Sequence, residues 1–240
     1  MYDYAMISEP GDRPYNEDSI RMHDLGSEQI FALADGLGGM GNGELASSIA
    51  IQSVIGRVRW DRGPGFLAHA METAQGAVTY GQKKYPEAAG MSSTLALLHL
   101  LGNQAQWAHV GDSRVYMFRR NRLLYQTEDH SVPQMLVKMG DITQAQIRHH
   151  PDRNRLLRTL GWAWTDQGYA VSKPVKVTRG DAFLLCSDGF WEEIEEREMS
   201  RELTRAENAD QWLEKMKTIV EENGKDVSMD NYSAICVCIR

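Results

Sequence analysis

The feature that most narrows the fold is a succession of short apolar runs broken by turn residues. Residues 93–100 (Ser-Thr-Leu-Ala-Leu-Leu-His-Leu) and 104–110 (Gln-Ala-Gln-Trp-Ala-His-Val) flank Gly102-Asn103, and residues 115–118 and 123–125 flank Arg120-Asn121. Runs of this length joined by a tight turn read as β-hairpins. Hairpins build antiparallel sheets, whereas parallel neighbours need a long crossover, usually a helix. Further strands are expected at 1–8, 18–23, 30–34, 183–186 and 233–239. From Glu44 the period changes to that of a helix, with Leu45, Ile49, Ile51, Val54, Ile55 and Val58 on one apolar face. A second helix is expected at 65–84, with Pro64 suited to its first turn, and a third at 207–222, with Ala209, Leu213, Met216 and Val220 on one face. Strands in hairpin runs with helices between them favour an α+β sandwich over a doubly wound parallel sheet. Residues 131–168 are less regular, with helical fragments at 132–139 and 143–148 and a break at Pro151, and form a candidate flap or insertion. No repeat or Pro/Ser-rich linker divides the chain, so residues 1–240 are expected to form a single domain.

Charge and cysteine usage remove several function classes. With 33 acidic and 26 basic side chains the formal net charge is −7, which disfavours a nucleic-acid partner. An acidic chain can instead cluster carboxylates around hard cations. The apolar runs are only a few residues long, as in Leu95-Ala-Leu-Leu98, far short of the roughly 20 residues of a membrane span. The N-terminus lacks a basic stretch followed by an apolar one, so no signal peptide is expected. Cys186, Cys236 and Cys238 show no C-x-x-C spacing, and Cys236 and Cys238 alternate with Ile235, Val237 and Ile239 as in a buried strand. Reduced core thiols in a cytoplasmic protein, monomeric by default, are the expectation.

The candidate chemistry lies in the placement of aspartates. Asp35, Asp188 and Asp230 each sit at a strand end or just before a strand, followed by a small or turn-forming residue (Gly36, Gly189, Asn231). Asp18 follows Asn16-Glu17 at the start of an early strand, and Asp112 lies between two hairpin strands in Val110-Gly-Asp-Ser-Arg114. Any one Asp-Gly is most simply a solvated turn. Strand ends from distant parts of a sheet can converge, however, and convergent carboxylates repel one another unless cations neutralise them. An all-oxygen donor set suits Mg²⁺ or Mn²⁺. The glycine cluster Gly36-Leu-Gly38-Gly39-Met-Gly41 formally matches the dinucleotide-binding pattern G-x-G-x-x-G. Two features count against an oxidoreductase: Asp35 would oppose a pyrophosphate, and Arg57-Val-Arg-Trp-Asp61 is not a second buried strand with an acidic end. A phosphate-binding Walker A loop is excluded, because Glu44 rather than Lys follows Gly43. The glycines are better read as a tight strand-to-helix turn that lets backbone carbonyls and Asp35 approach a metal.

These blocks assemble into a known pattern. Arg13-Pro-Tyr-Asn-Glu-Asp18, Asp35-Gly-Leu-Gly-Gly-Met-Gly-Asn-Gly-Glu-Leu-Ala-Ser47, Met91-Ser-Ser-Thr94, Val110-Gly-Asp-Ser-Arg-Val-Tyr116, Asp129-His-Ser131, Ser187-Asp-Gly-Phe-Trp191 and Asp230-Asn231 follow one another along the chain. In order and spacing the sequence resembles the metal-dependent Ser/Thr protein phosphatases (the PPM or type 2C family) in their bacterial form. The resemblance implies two packed antiparallel β-sheets flanked by pairs of helices, a four-layer α-β-β-α sandwich. It implies hydrolysis of phosphoserine and phosphothreonine by a hydroxide bridging two Mn²⁺ or Mg²⁺ ions. Asp35 would bridge both ions, the Gly36 carbonyl would bind one of them, Asp188 and Asp230 would complete the first site, and Asp18 would serve the second, with Glu17 in the water shell. Asp112, with Asp188, matches a third and weaker site, and Arg13 matches the arginine that grips the substrate phosphate, a role suited to a planar guanidinium. The implied partners are phosphorylated proteins and a cognate Ser/Thr kinase whose action is reversed. A non-catalytic relative that only binds phosphoproteins is the alternative. Leu37 occupies the position where many eukaryotic members have a histidine acid, which leaves His130, His149 and His150 as candidates beside water. Glu192–Glu198 reads as a solvated helix start, Trp162 and Trp164 beside Gly161 read as packing residues, and Arg153, Arg155 and Arg158 make the flap basic.

Overall fold

The computed structural model describes residues 1–37, 42–58, 63 and 65–240. Strands β1 (Tyr2–Glu9), β2 (Asp18–Asp24) and β3 (Glu28–Leu37) precede helices α1 (Gly43–Val58) and α2 (Phe66–Lys84). Strands β4 (Ser92–Ser93), β5 (Leu95–Leu101), β6 (Gln104–Val110), β7 (Arg114–Arg119) and β8 (Arg122–Gln126) follow. Helix α3 (Val132–Met139), a 3₁₀ turn at Gln144–His149 and the short strands β9 (Ala170–Val171) and β10 (Val175–Lys176) lead to β11 (Asp181–Cys186). The chain closes with α4 (Asp188–Trp191), α5 (Glu196–Arg205), α6 (Ala209–Asn223) and β12 (Tyr232–Ile239). Pro64, the glycines Gly38, Gly39 and Gly41, and residues 59–61 of the Arg57–Asp61 segment lie outside the described residues.

One sheet runs β1-β12-β11-β7-β8 and the other β10-β6-β5-β3-β2, with β4 paired to β3 and β9 to β6. Every pairing among the described strands is antiparallel, so β3 and α1 are not part of a parallel crossover and the dinucleotide-binding reading falls away. The predicted hairpins are present. Arg120 and Asn121 both take positive φ (53° and 59°), as a two-residue turn matched to strand twist requires.

Strand alternation sorts side chains into layers. Phe31, Leu33, Ala96 and Leu98 from one sheet meet Met117, Phe183, Leu185, Ile235 and Val237 from the other. The alternate residues of β3 and β5 (Ile30, Ala32, Ala34, Leu95, Leu97) face outward and pack against Ala50, Val54, Met71 and Val78 of α1 and α2. On the far side Leu184, Cys186, Ala234 and Cys236 pack against Met199 of α5 and Trp212 and Met216 of α6. The result is the expected four-layer α-β-β-α order. All three cysteines are buried and free, and burial raises each thiol pKa. Among the described residues no helix is long and apolar enough to cross a membrane.

One local expectation changes. Glu192–Glu198 is not one helix start: α4 ends at Trp191, Ile194 is buried, and a reciprocal cap between Glu195 and Glu198 opens α5. The 131–168 segment closes on itself through the backbone pair Ser131–Leu156 and is tied to β4 through Ser93–Leu160.

Candidate active site

Both sheets end at one cavity of about 500 Å³, lined by Arg13, Glu17, Asp35, Gly36, Leu37, Asp112, Asn154, Leu156, Trp162, Asp188 and Asp230. Asp18 lies directly behind it, opposite Asp35 in the β2–β3 register. The topology therefore gathers all the acidic residues singled out from the sequence. Asp18 and Asp35 come from one sheet, Asp188 and Asp230 flank β11 and β12 of the other, and Asp112 lies on the connection between β6 and β7.

The backbone around Asp35 is fixed by hydroxyl side chains. Its N–H donates to Thr94 Oγ1 (3.0 Å), and its carbonyl accepts from Ser93 Oγ (2.8 Å) and from the Thr94 N–H (2.8 Å). One residue on, a Cβ on Gly36 would lie 2.1 Å from the Gly43 carbonyl oxygen, and one on Gly43 would lie 2.7 Å from Gly36 backbone. Only glycines let the end of β3 touch the start of α1 in this way, which is the structural reason for both positions.

On the other sheet Ser187 Oγ donates to Asp18 Oδ2 (2.9 Å) and accepts from the Ser233 N–H (2.8 Å), tying β2 to β11 and β12. Asn231 organises the loop before β2. Its Oδ1 accepts the Glu17 N–H (2.8 Å), while its Nδ2 donates to the carbonyls of Pro10 (2.8 Å) and Tyr15 (2.9 Å). Arg13, on that loop, donates to Asp230 Oδ2 at 2.8 Å and keeps 55% of its side chain exposed. Asp112 is held from behind: the Trp191 indole N–H donates to its carbonyl (3.0 Å), and Arg114 lies 3.4 Å over the Trp191 ring. Arg114 in turn makes a bidentate pair with Asp129 (2.8 and 2.7 Å). Ser93, Thr94, Ser187 and Asn231 carry no assigned role in the sequence pattern alone. Their signal was their position, hydroxyls or an amide next to strand-end aspartates.

The electrostatics follow from burial. Desolvation, then repulsion from Asp18, Asp188, Asp112 and Asp230, drives the Asp35 pKa well above the ordinary carboxylate value. Desolvation raises Asp112 in the same direction, with Asp188 next in weight. Asp18 and Asp188 are each pushed up to about 7, mainly by burial, with Asp188 and Asp230 adding for the former and Glu192 and Asp230 for the latter. Glu17 is also raised, by desolvation and then by Glu44. Asp18 Oδ1 is buried with no hydrogen-bond partner.

This is a site short of positive charge, and its donors are carboxylate and backbone oxygens. Among the described residues no three acidic, histidine or cysteine side chains close on one point tightly enough to hold an ion unaided. An ion here would complete its shell with backbone oxygen and water, as Mg²⁺ and Mn²⁺ readily do. The orphaned Asp18 oxygen and the mutually repelling carboxylates fit such ions.

Of the histidine candidates, His130 is held by burial, and next by His109, at a pKa of about 3. Its Nδ1 accepts the Gly111 N–H at 3.2 Å and its ring stacks on His109, so it supports the backbone next to Asp112. His150 Nδ1 accepts the Asp152 N–H (3.1 Å). His149 lines an adjoining cleft with Arg13, Arg148, Arg153 and Asp188. Arg153 faces that cleft while paired to Glu192 at 2.9 Å, whereas Arg155 and Arg158 pair with Asp152 and Asp166 away from it.

Comparison with known proteins agrees with this geometry. The protein phosphatase 2C family model matches residues 12–232. The serine/threonine protein phosphatase PstP of Mycobacterium tuberculosis is 33% identical over 194 residues, 78% of this chain and 36% of PstP, so the match spans only about a third of that relative's length. The serine/threonine phosphatase stp of Listeria monocytogenes is 31% identical over 222 residues, covering 85% of this chain and 84% of the relative. The crystal structure of M. tuberculosis PstP/Ppp superposes with a TM-score of 0.85 at 28% identity, over 100% of this chain and 99% of that one. The catalytic domain of PstP in complex with two manganese ions gives 0.83 at 26% identity, over 100% and 99% of the two chains. A type 2C sandwich, with its carboxylates gathered where both sheets end, is what sequence and geometry describe together: the chain belongs to the protein phosphatase 2C family.

Proposed function

We propose that this chain is a metal-dependent phosphoprotein phosphatase that hydrolyses phosphoserine and phosphothreonine, reversing the action of a Ser/Thr kinase. The observation that carries the reading is the convergence of buried, mutually repelling carboxylates on a cavity rimmed by one exposed arginine. Asp35, the Gly36 carbonyl, Asp188 and Asp230 are assigned to one Mn²⁺ or Mg²⁺ ion. Asp35 and Asp18 are assigned to a second, with Glu17 in its water shell. Asp112 and Asp188 are assigned to a weaker third. Such ions, when bound, supply Lewis acidity toward phosphoryl oxygens and water.

The remaining work falls to the chain. Arg13 has free donors besides the one given to Asp230, and its planar fork suits two oxygens of a phosphate monoester. Being anchored through Asp230, it presents that fork at a fixed distance from the carboxylates and favours charge developing on the transferred group. Thr94, Ser93, Ser187 and Asn231 keep the acidic side chains and the Arg13 loop in register, so that little reorganisation accompanies the reaction. The cysteines, buried with raised pKa values, have no nucleophilic part. Three free thiols also suit a reducing compartment, and we place the protein in the cytoplasm.

The test is turnover of a phosphothreonine peptide by the full chain. Phosphate release should require added Mn²⁺ or Mg²⁺, cease in EDTA and return when metal is restored. Release by thoroughly demetallated protein would overturn the reading, and binding of the peptide without turnover would make the chain a non-catalytic relative.

A further inference from the structure

The cavity is not acidic all round. Leu37, Leu156 and Trp162 line it together with the carboxylates. Trp162 was expected to pack, yet it is 43% exposed. Among the described tryptophans it stands apart: Trp107, Trp191 and Trp212 are buried. Trp164, two residues on, is half-buried, packs on Tyr169 and donates its indole N–H to the Thr159 carbonyl at 2.9 Å.

The loop carrying Trp162 is nevertheless tightly held. Gln75 of α2 accepts the Gly161 N–H (2.8 Å) and donates to the Trp162 carbonyl (2.7 Å). Gln82, two turns along the same helix, donates to the carbonyls of Met91 (2.7 Å) and Gly161 (3.1 Å). Gly161 sits at φ +91°, where a Cβ would lie 2.7 Å from Gln82 Nε2 and 2.8 Å from the Met91 carbonyl oxygen. Leu160 exchanges backbone hydrogen bonds with Ser93 (2.8 and 3.3 Å), the residue whose hydroxyl holds the Asp35 carbonyl. The backbone that carries Trp162 is thus fixed relative to Asp35 through a short chain of hydrogen bonds, while the side chain stays exposed at the cavity.

An exposed aromatic side chain on a held backbone offers large contact area at modest entropic cost, the usual property of an interface anchor. Its place in the same cavity as the carboxylates and Arg13 limits what it can meet. With the phosphorylated residue over the carboxylates and Arg13, a neighbouring substrate side chain falls on the indole and the two leucines. We propose that Trp162 is a specificity-determining residue, a platform for a large apolar side chain adjacent to the phosphorylated residue. The inference rests on the phosphatase reading and names the class of phosphoprotein segment that site selects.

The test uses the full chain with Mn²⁺ and two phosphothreonine peptides that differ only in carrying leucine or glycine at both flanking positions. The wild type is expected to favour the leucine peptide by about tenfold in kcat/KM, mainly through KM, the scale of one apolar contact in a pocket. Trp162→Ala should bring the ratio to within about twofold, and Trp162→Phe should restore most of it. Melting temperatures of both variants check that the fold survives. A wild-type ratio near one, or a ratio that persists in Trp162→Ala, would overturn the proposal while leaving the phosphatase reading intact. A wild-type protein that turned over neither peptide would overturn both.

Discussion

Asp18 and Asp35 face each other across the β2–β3 ladder, an arrangement in which like charges oppose strand pairing. Burial adds to the repulsion and favours the protonated acids: Asp18 and Asp188 are pushed up to about 7, and Asp35 well above the ordinary carboxylate value. In the unfolded chain these groups ionise near the usual carboxylate value of about 4. Between about pH 4 and 7 the folded state therefore binds more protons than the unfolded one, and stability must fall as pH rises through that window. The slope is about 1.4 kcal/mol per pH unit for each proton so held. Urea denaturation in EDTA at pH 5 and pH 8 checks the sign, since equal or greater stability at pH 8 would contradict it. Asp35→Asn removes one member of the cluster. It should flatten that pH dependence and raise metal-free stability at pH 8, yet lower kcat/KM by about 10²-fold or more, the outcome that the proposed role of Asp35 in the reaction requires. A variant that loses stability at pH 8, or keeps its activity, would show that Asp35 is merely a core acid.

Between the residues and the sandwich lie the segments that carry them, among them the loop between β1 and β2. It presents Arg13 and Glu17, and the Asn231 side chain alone makes three of the hydrogen bonds that shape it. Asn231→Ala should cost about 1–3 kcal/mol, since it leaves part-buried partners unpaired. It should also lower kcat/KM for a phosphopeptide by about tenfold through KM, because Arg13 loses its fixed position. Limited proteolysis should then cut within 10–17. An unchanged KM with resistant loop backbone would assign the bonds to another purpose. The contrast with what the sequence disclosed is physical. β3 and β5 were legible as short, nearly continuous apolar runs bounded by turn residues, and α1 because one of its faces is apolar at the helical period. The Asp-Gly strand ends were legible because turn chemistry is local. Helix α5 was misplaced because its buried face comes down to Met199 and Leu203 after a glutamate run that carries no period. Trp162 was taken for core because an indole in an irregular segment has no pattern to say which way it faces. The convergence of Asp18, Asp112, Asp188 and Asp230 depends on pairings far apart in the chain, which no local period encodes.

At the scale of the whole molecule, the carboxylates gather at one place parts that belong to both sheets. Asp18 and Asp35 belong to one sheet, Asp188 and Asp230 border the other, and Asp112 lies on the strand connection that passes from one to the other. Cations shared among them would bind the folded arrangement and not the unfolded chain, so they should stabilise the sandwich as a unit. At a hundredfold excess over its dissociation constant a ligand adds about 2.7 kcal/mol. For a chain of 240 residues that corresponds to a rise in Tm of roughly 5–10 °C. The rise should be larger at pH 8 than at pH 5, because protons and cations compete for the same oxygens. Sodium chloride at matched ionic strength should not reproduce it, since buried charges are poorly screened by salt. Thermal melts with EDTA, Mn²⁺ or salt at both pH values separate these terms. A Tm at pH 8 that is the same in EDTA and in saturating Mn²⁺, or a shift that grows toward pH 5, would mean that the carboxylates do not share an ion and that their repulsion is relieved by protons alone.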